Sequence, residues 1–456
     1  MALIKSPFDD SPVAEVSLGA AADFELAISA ADSAFAKMRS LPTHRRAAIL
    51  EGTARALGEK SDSIARLIAL ESGKPIRYAK AEVARAISTF KLGADVARTL
   101  AGEVLPVDLS AASEGRLCLT RRVPRGPVGA IAPFNFPLNL VAHKLSPALS
   151  VGASVVLKPA HQSPATAHAL AEILHEQDLV PGAVNVVHTE PEVGEQLARD
   201  ARIKVLSFTG SDAVGWKLKA LAARKQVLLE LGGNAPCIVD ESADLARAIP
   251  ALVEASFANA GQICIKTQRL IVHRRVFDDF VERFLAAARA LRTGDPLDPE
   301  TVVGPLIETR HVERVLTWIR EAEASGARVL LGGDANGRVV SPTVVVGARP
   351  DMRVYKDEIF GPVCVIEPFE HWSQALELAD ASRFGLQVSV YTRDIGRALA
   401  AFRELDFGGV LINEPTTFRV DNYPYGGGKD SGFGREGVRY AALEYTEERV
   451  LVLGAG

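Results

Sequence analysis

The sequence predicts an α/β fold in which strands and helices alternate along most of the chain. Its 456 residues exceed what one hydrophobic core usually serves, which predicts two or three packed units. Short apolar runs are separated by helical stretches, a spacing typical of parallel βαβ units. The runs of the first half are residues 128–132, 154–157, 184–187 and 205–208. The second half continues with strands at 237–239 and 270–273 and helices at 243–259 and 276–291.

The N-terminal part predicts helices. Between Asp23 and Ser72, apolar residues recur at intervals of three and four, as on the buried face of an amphipathic helix. Gly73 and Pro75 then mark the end of this segment, because glycine commonly ends helices and proline follows their ends. A further helical stretch reaches about Leu100.

Residues 105–127 have a different pattern, which predicts a short hairpin. Apolar residues alternate with Arg121 and Arg122, and Pro124 and Gly126 interrupt the alternation. We therefore expect this segment to form an arm outside the core.

Composition and charge argue against several classes of partner. The net charge is −4, and no Lys/Arg block is interleaved with aromatic residues, so we expect no nucleic acid. The N-terminus lacks a basic leader, and no apolar run approaches the roughly 18 to 20 residues of a membrane span, so we expect a cytoplasmic protein without a membrane partner.

The scattered cysteines predict neither disulfides nor a metal site. They are Cys118, Cys237, Cys264 and Cys364.

Two features are candidate nucleotide contacts. The turn at residues 207–211 joins a strand to a helix, with Gly215 one turn inside, so backbone amides there can face a pyrophosphate. A turn without that function is the alternative, because the spacing differs from the common dinucleotide fingerprint. Lys158 ends another predicted strand, where α/β sheets bind ligands, and a ribose hydroxyl is its expected partner. A solvated lysine is the alternative.

Three residues together suggest nucleophilic catalysis. Small residues precede Cys264, which allows close approach of a substrate to a thiol nucleophile. Glu230 interrupts an apolar run, where lost hydration raises the pKa of a carboxyl towards that of a general base. Asn135 lies in a strand-to-helix loop and can donate to an oxyanion. The alternatives are a buried structural cysteine, a glutamate in a salt bridge and a turn asparagine.

Several motifs in order along nearly the whole chain resemble the aldehyde dehydrogenase superfamily. They are Pro-Phe-Asn-Phe-Pro at 133–137, Leu-Lys-Pro-Ala at 157–160, Phe-Thr-Gly-Ser at 208–211, Leu-Glu-Leu-Gly-Gly at 229–233, Gly-Gln-Ile-Cys at 261–264, Glu-Ile-Phe-Gly-Pro at 358–362, Pro-Tyr-Gly-Gly at 424–427 and Ser-Gly-Phe-Gly-Arg-Glu at 431–436. The glycine spacing near residue 210 is normal for that family.

The resemblance implies oxidation of an aldehyde to a free carboxylic acid with NAD or NADP. It implies that Cys264 is the nucleophile, Glu230 the general base, Asn135 the oxyanion donor with the Cys264 amide, and that Lys144 lies near the catalytic centre. The residues implied to contact the cofactor are Phe134, Lys158, His161, Gly210, Ser211, Gly215, Leu231, Glu358 and Phe360. Those implied for the substrate, a small polar or anionic aldehyde of the lactaldehyde or semialdehyde type, are His143, Phe418 and Arg419. A surface position is the alternative for Arg419.

Two positions depart from the family pattern. Many NAD-preferring relatives carry a glutamate where this chain has His161. A carboxylate there repels a 2′-phosphate, whereas protonated imidazole attracts it, so we expect NADP to be accepted. Tyr425 replaces a more usual phenylalanine, which we interpret as a minor change.

The resemblance also implies an architecture. A Rossmann-type cofactor domain comprises residues 1–106 and 127–232, an α/β catalytic domain 233–419, and an oligomerisation arm 107–126 and 420–456. Arms of this kind pair between subunits, which predicts a homodimer or homotetramer. A cysteine-dependent esterase and a non-catalytic binding protein of the same fold are the alternative functions.

Overall fold

A computed structural model of the protein describes residues 1–454. The chain opens with a β-hairpin and a layer of four long helices, as the apolar spacing predicts. The third helix ends where Gly73 adopts a left-handed φ of 71°, which glycine accepts without a steric penalty. The elements up to residue 126 are β1 (Ala2–Lys5), β2 (Pro12–Val16), α1 (Ala21–Ser40), α2 (Thr43–Glu59), α3 (Ser61–Ser72), α4 (Ile76–Thr99), β3 (Val104–Leu105) and β4 (Leu117–Pro124).

A six-stranded sheet follows, and it contains every strand predicted between residues 128 and 208. Its elements in chain order are β5 (Val128–Ile131), α5 (Asn139–Val151), β6 (Val155–Lys158), α6 (Ala165–His175), β7 (Val184–Val186), α7 (Pro191–Gly194), α8 (Gln196–Arg199), β8 (Val205–Thr209), α9 (Asp212–Leu221) and β9 (Gln226–Glu230). The strand order is β9-β8-β5-β6-β7, all parallel, with a short antiparallel strand at the β9 edge.

The chain winds outwards from the middle of this sheet in both directions. From β5 it proceeds through β6 to β7, and it then returns to place β8 and β9 on the other side of β5. Such a reversal opens a crevice at the carboxyl ends of the two central strands, where open α/β sheets bind ligands. The topology therefore predicts a site beside the loops that follow β5 and β8.

A second, seven-stranded sheet lies in the second half of the chain. Its order is β12-β15-β16-β11-β10-β18-β19, and the pairs are parallel except β12 with β15. The elements are β10 (Ala235–Val239), α10 (Leu245–Phe257), β11 (Thr267–His273), α11 (Phe277–Arg289), α12 (Thr309–Ala324), β12 (Arg328–Leu331), β13 (Ala335–Asn336), β14 (Val339–Val340), β15 (Thr343–Val346), α13 (Arg353–Lys356), β16 (Val363–Phe369), α14 (Trp372–Asp380), β17 (Phe384–Gly385), β18 (Gln387–Tyr391), α15 (Ile395–Glu404) and β19 (Gly409–Ile412).

The predicted arm is a three-stranded sheet rather than a local hairpin. The last elements are β20 (Gly428–Lys429), β21 (Gly432–Phe433), α16 (Val438–Glu444) and β22 (Thr446–Leu453). β4 pairs along its whole length with β22, whereas the nearby β3 contributes only two residues. The local pattern indicated only a hairpin, whereas the main partner of β4 is the C-terminal strand, which the family resemblance had also assigned to the arm.

The described residues contain neither a helix that could span a membrane nor a cluster of metal ligands. Among residues 1–454, no helix combines the length and the apolar character that a bilayer crossing requires. Within the same residues, no group of three or more His, Cys, Asp or Glu side chains is placed to hold a metal ion.

Candidate active site

The ends of the parallel strands surround a cleft of about 590 Å³, within the size range of small-molecule and cofactor sites. The loop after β5, the end of β6, the turn after β8 and the end of β9 form one side, and residues that follow α10 and α13 form the other. The predicted site residues that line it are Phe134, Asn135, Lys158, Gly210, Ser211, Leu231, Cys264, Glu358 and Phe360.

A strained turn presents Cys264 to this cleft. After α10 the chain passes through Asn259, Ala260 and Gly261 with φ values of 52°, 54° and 68°. Left-handed conformations in two consecutive non-glycine residues cost about 1–3 kcal/mol each, and such strain is often found at functional sites. Cys264 is partly buried, and burial raises the pKa of its thiol to about 11. The resting group is therefore a thiol, and attack on a carbonyl requires that its proton leave.

Tyr425 is the hydrogen-bond partner of the thiol. Its hydroxyl oxygen lies 3.4 Å from Cys264 Sγ. A phenylalanine at this position has no such hydroxyl, so the replacement that we interpreted as minor adds a contact to the candidate nucleophile.

Glu230 ends β9, and its carboxylate is buried with only 4% of the residue exposed. Its Oε2 has no hydrogen-bond partner, and no cation lies within 4 Å of the carboxylate, among the residues described. The salt-bridge alternative is therefore wrong. Loss of hydration, together with the nearby negative charge of Glu436, raises the pKa of Glu230 well above its ordinary value.

Glu230 and Cys264 lie on the same side of the molecule. Both approach the segment that contains Tyr425 and Gly426, since a Cβ on Gly426 would lie 3.0 Å from Glu230 Oε1. The charge of Glu230 is also one cause of the raised pKa of Cys264. Gly233 makes room for the Cys264 carbonyl, because a Cβ there would clash with that oxygen.

Asn135 lies in the loop between β5 and α5 and lines the cleft. Its Nδ2 donates to the Gln262 carbonyl at 2.9 Å, which ties it to the loop that carries Cys264. A side-chain amide has two N–H donors, and this bond occupies one of them. The other is available for an oxygen atom bound beside the thiol.

Lys144 is buried behind the cleft rather than in it. Its ammonium donates to Ser207 Oγ at 3.0 Å, Thr209 Oγ1 at 2.8 Å and Glu436 Oε1 at 3.0 Å. These three bonds use all three of its donors. In this arrangement Lys144 holds β8 and the Glu436 segment together beneath Glu230.

The turn after β8 lies at one end of the cleft. Gly210 and Ser211 line it, and α9 begins immediately after them, so its first backbone amides and its dipole favour an anion there. Gly215 is buried and does not line the cleft. A Cβ on Gly215 would clash with the side chain of Leu231, so the small residue allows Leu231 to form the wall.

Lys158 and His161 lie at and just after the carboxyl end of β6, at the edge of the cleft. Lys158 ends β6, and burial lowers the pKa of its ammonium, while Glu190 and Glu192 oppose that shift. His161 is exposed and does not line the cleft itself, although its neighbours on both sides do. Its ring stacks on that of buried His188 with centroids 5.2 Å apart.

Glu358 and Phe360 form the other wall. Glu358 Oε1 accepts from the Gly233 amide at 2.9 Å, and burial raises the pKa of this carboxyl to about 7. Phe360, with a φ of 40°, meets the ring of Phe134 edge-on at 6.0 Å. The cleft thus offers amide donors at one end, aromatic rings in the middle, and an ammonium and a carboxylate for hydroxyl groups, a set of groups that fits a dinucleotide.

Two of the three substrate candidates, His143 and Arg419, belong to a buried charged network. The guanidinium carbon of Arg419 lies 3.6 Å from the centroid of the Tyr425 ring, and only 7% of the side chain is exposed, so the surface alternative is wrong. Its Nε has no hydrogen-bond partner in the described chain and lies 4.0 Å from Asp421 Oδ1, while its Nη2 lies 3.7 Å from Glu436 Oε2. His143 Nε2 lies 2.8 Å from Asp421 Oδ1, and Phe418 is 42% exposed.

Sequence reasoning missed four residues that support the site: Arg85, Gln262, Asp421 and Glu436. Asp421 accepts from Arg85 at 2.6 Å as well as contacting His143. Gln262 and Glu436 belong to recognised motifs, so their positions were available, but their contacts depend on distant segments. No local pattern indicates that Arg85 on α4 meets a residue 336 positions later.

Comparison with known proteins shows the family to which the chain belongs. The aldehyde dehydrogenase family model matches residues 3–451. The chain is 38% identical over 451 residues to 3-sulfolactaldehyde dehydrogenase of Priestia megaterium, covering 99% of this chain and 94% of that protein. It is 39% identical over 422 residues to lactaldehyde dehydrogenase of Methanocaldococcus jannaschii, covering 91% of this chain and 89% of the relative.

Solved structures show the same fold. Aldehyde dehydrogenase 21 of Physcomitrella patens, in complex with the reaction product succinate, matches with a TM-score of 0.97 and 39% identity over 99% of this chain and 95% of that one. Glyceraldehyde-3-phosphate dehydrogenase of Methanocaldococcus jannaschii, complexed with NADP, matches with a TM-score of 0.96 and 36% identity over 99% and 98% of the two chains. The predicted α/β fold class and the resemblance to dehydrogenases are confirmed, and the chain belongs to the aldehyde dehydrogenase family.

Proposed function

We propose that the protein oxidises a small polar or anionic aldehyde to its free carboxylate through a thioester on Cys264. One observation carries the proposal: a single cleft brings together a thiol, an amide donor and the groups that fit a dinucleotide, and the charge of a buried carboxylate with an unpartnered oxygen acts on the thiol. This set supplies a nucleophile, an oxyanion donor and a base.

The first step is addition of Cys264 Sγ to the aldehyde carbon. The thiol proton leaves through the polar groups beside it, and the carbonyl oxygen becomes an oxyanion. The free N–H of Asn135 and the backbone N–H of Cys264 are the proposed donors to that oxyanion. A donor of this type contributes on the order of 100- to 1,000-fold in rate.

The coenzyme is NAD or NADP, and its nicotinamide ring supplies the acceptor for the hydride that converts the adduct to a thioester. The amides near Gly210 and Ser211 would hold the pyrophosphate, and Lys158 and Glu358 the riboses. Phe360 and Phe134 would pack against the nicotinamide end.

Glu230 is the proposed base for hydrolysis of the thioester. Its raised pKa makes it a stronger base than an ordinary carboxylate, and a positioned general base contributes roughly 100- to 10,000-fold. Because this base is present, we propose that water receives the acyl group and that the product is the free acid.

Arg419 and His143 support the choice of substrate. A buried guanidinium with an unpartnered Nε, next to the hydrogen-bond partner of the nucleophile, suits an anionic or hydroxylated group on the aldehyde. Sulfolactaldehyde and lactaldehyde, the aldehydes in the names of the two relatives, are of this kind.

NADP is proposed as an accepted coenzyme, because His161 places no carboxylate at the adenosine end. The structural neighbour of Methanocaldococcus jannaschii is complexed with NADP, and another neighbour, from Sinorhizobium meliloti, is named as NAD-dependent.

We also propose a homodimer or homotetramer that pairs through the arm. The apolar residues Val450 and Val452 on β22 are 63% and 51% exposed. An exposed apolar strand of this kind is usually covered by another chain.

An aldehyde panel assayed for nicotinamide reduction with each coenzyme tests the proposal. We expect reduction that depends on both substrates with wild-type protein, fastest with anionic or hydroxylated small aldehydes, and a loss of at least about 1,000-fold in Cys264→Ala. Hydrolysis of activated esters without coenzyme, in the absence of aldehyde oxidation, would show an esterase instead. Unchanged oxidation by Cys264→Ala would contradict the mechanism.

A further inference from the structure

A second cavity, of about 320 Å³, lies where the turn between α1 and α2 meets the arm strand β4. None of its lining residues lines the cleft that contains Cys264. Four arginines surround it, and we call it the arginine cavity: Arg39, Arg46, Arg121 and Arg122. Its remaining walls are mainly apolar and come from residues 41–42, 123–124 and 151.

Three of these four cations have no ion-pair partner among the described residues. Within residues 1–454, Arg39, Arg46 and Arg121 have no carboxylate within 4 Å, and the nearest to Arg122 is Glu448 at 3.9 Å. Arg121 also faces Arg449 directly across the antiparallel pair of β4 and β22. Like charges placed opposite each other in this way are destabilising.

Arg46 has a buried hydrogen-bond donor without an acceptor among the described residues. Its two terminal nitrogens donate to the Ser150 carbonyl at 2.7 Å and to Thr43 Oγ1 at 3.1 Å, while its Nε is buried without a hydrogen-bond partner. Burial and the charge of Arg121 lower the pKa of Arg46, which shows that the two guanidinium groups are close enough to repel. A buried donor without an acceptor destabilises the protein unless a ligand supplies the acceptor.

The helix α2 adds positive potential at the same place. Its first residue, Thr43, lines the cavity, and its first turn contains no acidic side chain. The partial positive charge of a helix N-terminus is therefore not compensated by the chain itself. The potential of the cavity comes from two independent sources, the guanidinium groups and this dipole.

We propose that the arginine cavity binds a small phosphorylated anion, a phosphomonoester or a diphosphate, at a site separate from the active cleft. Guanidinium groups match the oxygen geometry of phosphate and bind it through paired hydrogen bonds. The apolar walls cover the remainder of such a molecule. Because the cavity joins the helical layer to β4, the bound anion stabilises the attachment of the arm.

Calorimetric titration of the full-length protein with pyrophosphate tests this inference. We expect one site per chain, affinity that falls as salt rises, and binding at least roughly tenfold weaker in the double variant Arg39→Gln/Arg121→Gln. Both residues are exposed, so the variant should fold. Arg328→Gln is the matched control, since Arg328 is exposed and lies on β12 in the other sheet.

Two further measurements separate this site from the cofactor cleft and from a subunit contact. Saturating NADP should leave pyrophosphate binding unchanged, and pyrophosphate should raise the Tm of the wild type but not of the double variant. Full competition by NADP, or equal affinity in wild type and double variant, would overturn the proposal. So would absence of binding together with a changed oligomeric state in the double variant, which would show that a second copy covers the cavity.

Discussion

Two buried carboxylates, Glu82 on α4 and Glu230 at the end of β9, have opposite surroundings. Glu82 Oε1 accepts from the backbone amides of Leu138 at 2.9 Å and Asn139 at 3.0 Å, and its Oε2 pairs with buried Lys74. Glu230 has an oxygen without any partner among the described residues. The first carboxylate is fully satisfied and fixes the start of α5, whereas the second retains a lone pair for chemistry. Hydrogen-bond satisfaction, rather than burial, distinguishes them.

Replacing Glu230 should have the largest effect on turnover. Glu230→Gln removes the proposed base, so we expect kcat to fall by roughly 100- to 10,000-fold, with a burst of coenzyme reduction because the thioester still forms. Stopped-flow measurement of the burst and the steady state checks this. A variant that loses the burst and the steady state equally would show that Glu230 acts before the thioester.

The raised pKa of Glu230 determines how both the stability of the fold and kcat should change with pH. A carboxyl whose folded pKa exceeds its unfolded value destabilises the fold increasingly as pH rises from the unfolded pKa to the folded one. Glu230→Gln should therefore be at least as stable as wild type at pH 8, with the difference shrinking towards pH 5. Wild-type kcat should rise with pH as the base ionises, and Glu230→Gln should lack that rise.

Replacing Glu82 should give the opposite result, a loss of stability. Glu82→Gln leaves the buried ammonium of Lys74 unpaired, and removal of one partner of a buried pair typically costs about 3–5 kcal/mol. Chemical denaturation measures this, and Glu176→Gln, which breaks the exposed pair with Lys60, is the control with little expected change. A Glu82→Gln variant that keeps its stability but loses much of its kcat would show that Glu82 acts in turnover rather than in holding the fold.

The sequence predicted the elements that carry local signals and missed contacts that depend on the tertiary fold. The strand end at Lys158 follows from an apolar run that stops at a charge, and the end of α3 follows from Gly73. The pairing of β4 with β22 joins segments over 300 residues apart, so the local alternation could suggest a strand but not its partner.

The same limit applies within the site. Cys264, Glu230 and Asn135 could be predicted as candidates because each lies in a short motif. Cys264 and Asn135 line the same cleft, and the charge of Glu230 is one cause of the raised pKa of Cys264. The burial of Arg419 against Tyr425 was not predictable from the sequence, because it depends on how residues 419–436 pack beneath β8 and α5.

Arg419 offers a smaller, selective effect. Arg419→Met keeps the length of the side chain and removes its charge, so we expect KM for an anionic aldehyde to rise about tenfold while KM for a neutral aldehyde of similar size changes little. Arg419→Lys should recover part of the loss. Equal changes in KM for both aldehydes would assign Arg419 to the support of Tyr425 and Glu436 rather than to the substrate.

His161 should give the smallest effect, confined to the choice of coenzyme. It is exposed beside the cleft, so His161→Glu should fold normally, and its carboxylate should repel a 2′-phosphate. We expect the ratio of kcat/KM for NADP to that for NAD to fall by about tenfold, mainly through KM. His161→Gln, which has no charge, should fall in between. A ratio unaffected by His161→Glu would mean that the 2′-phosphate lies beyond the reach of this side chain, and that Lys158 and the acidic groups near it decide the preference instead.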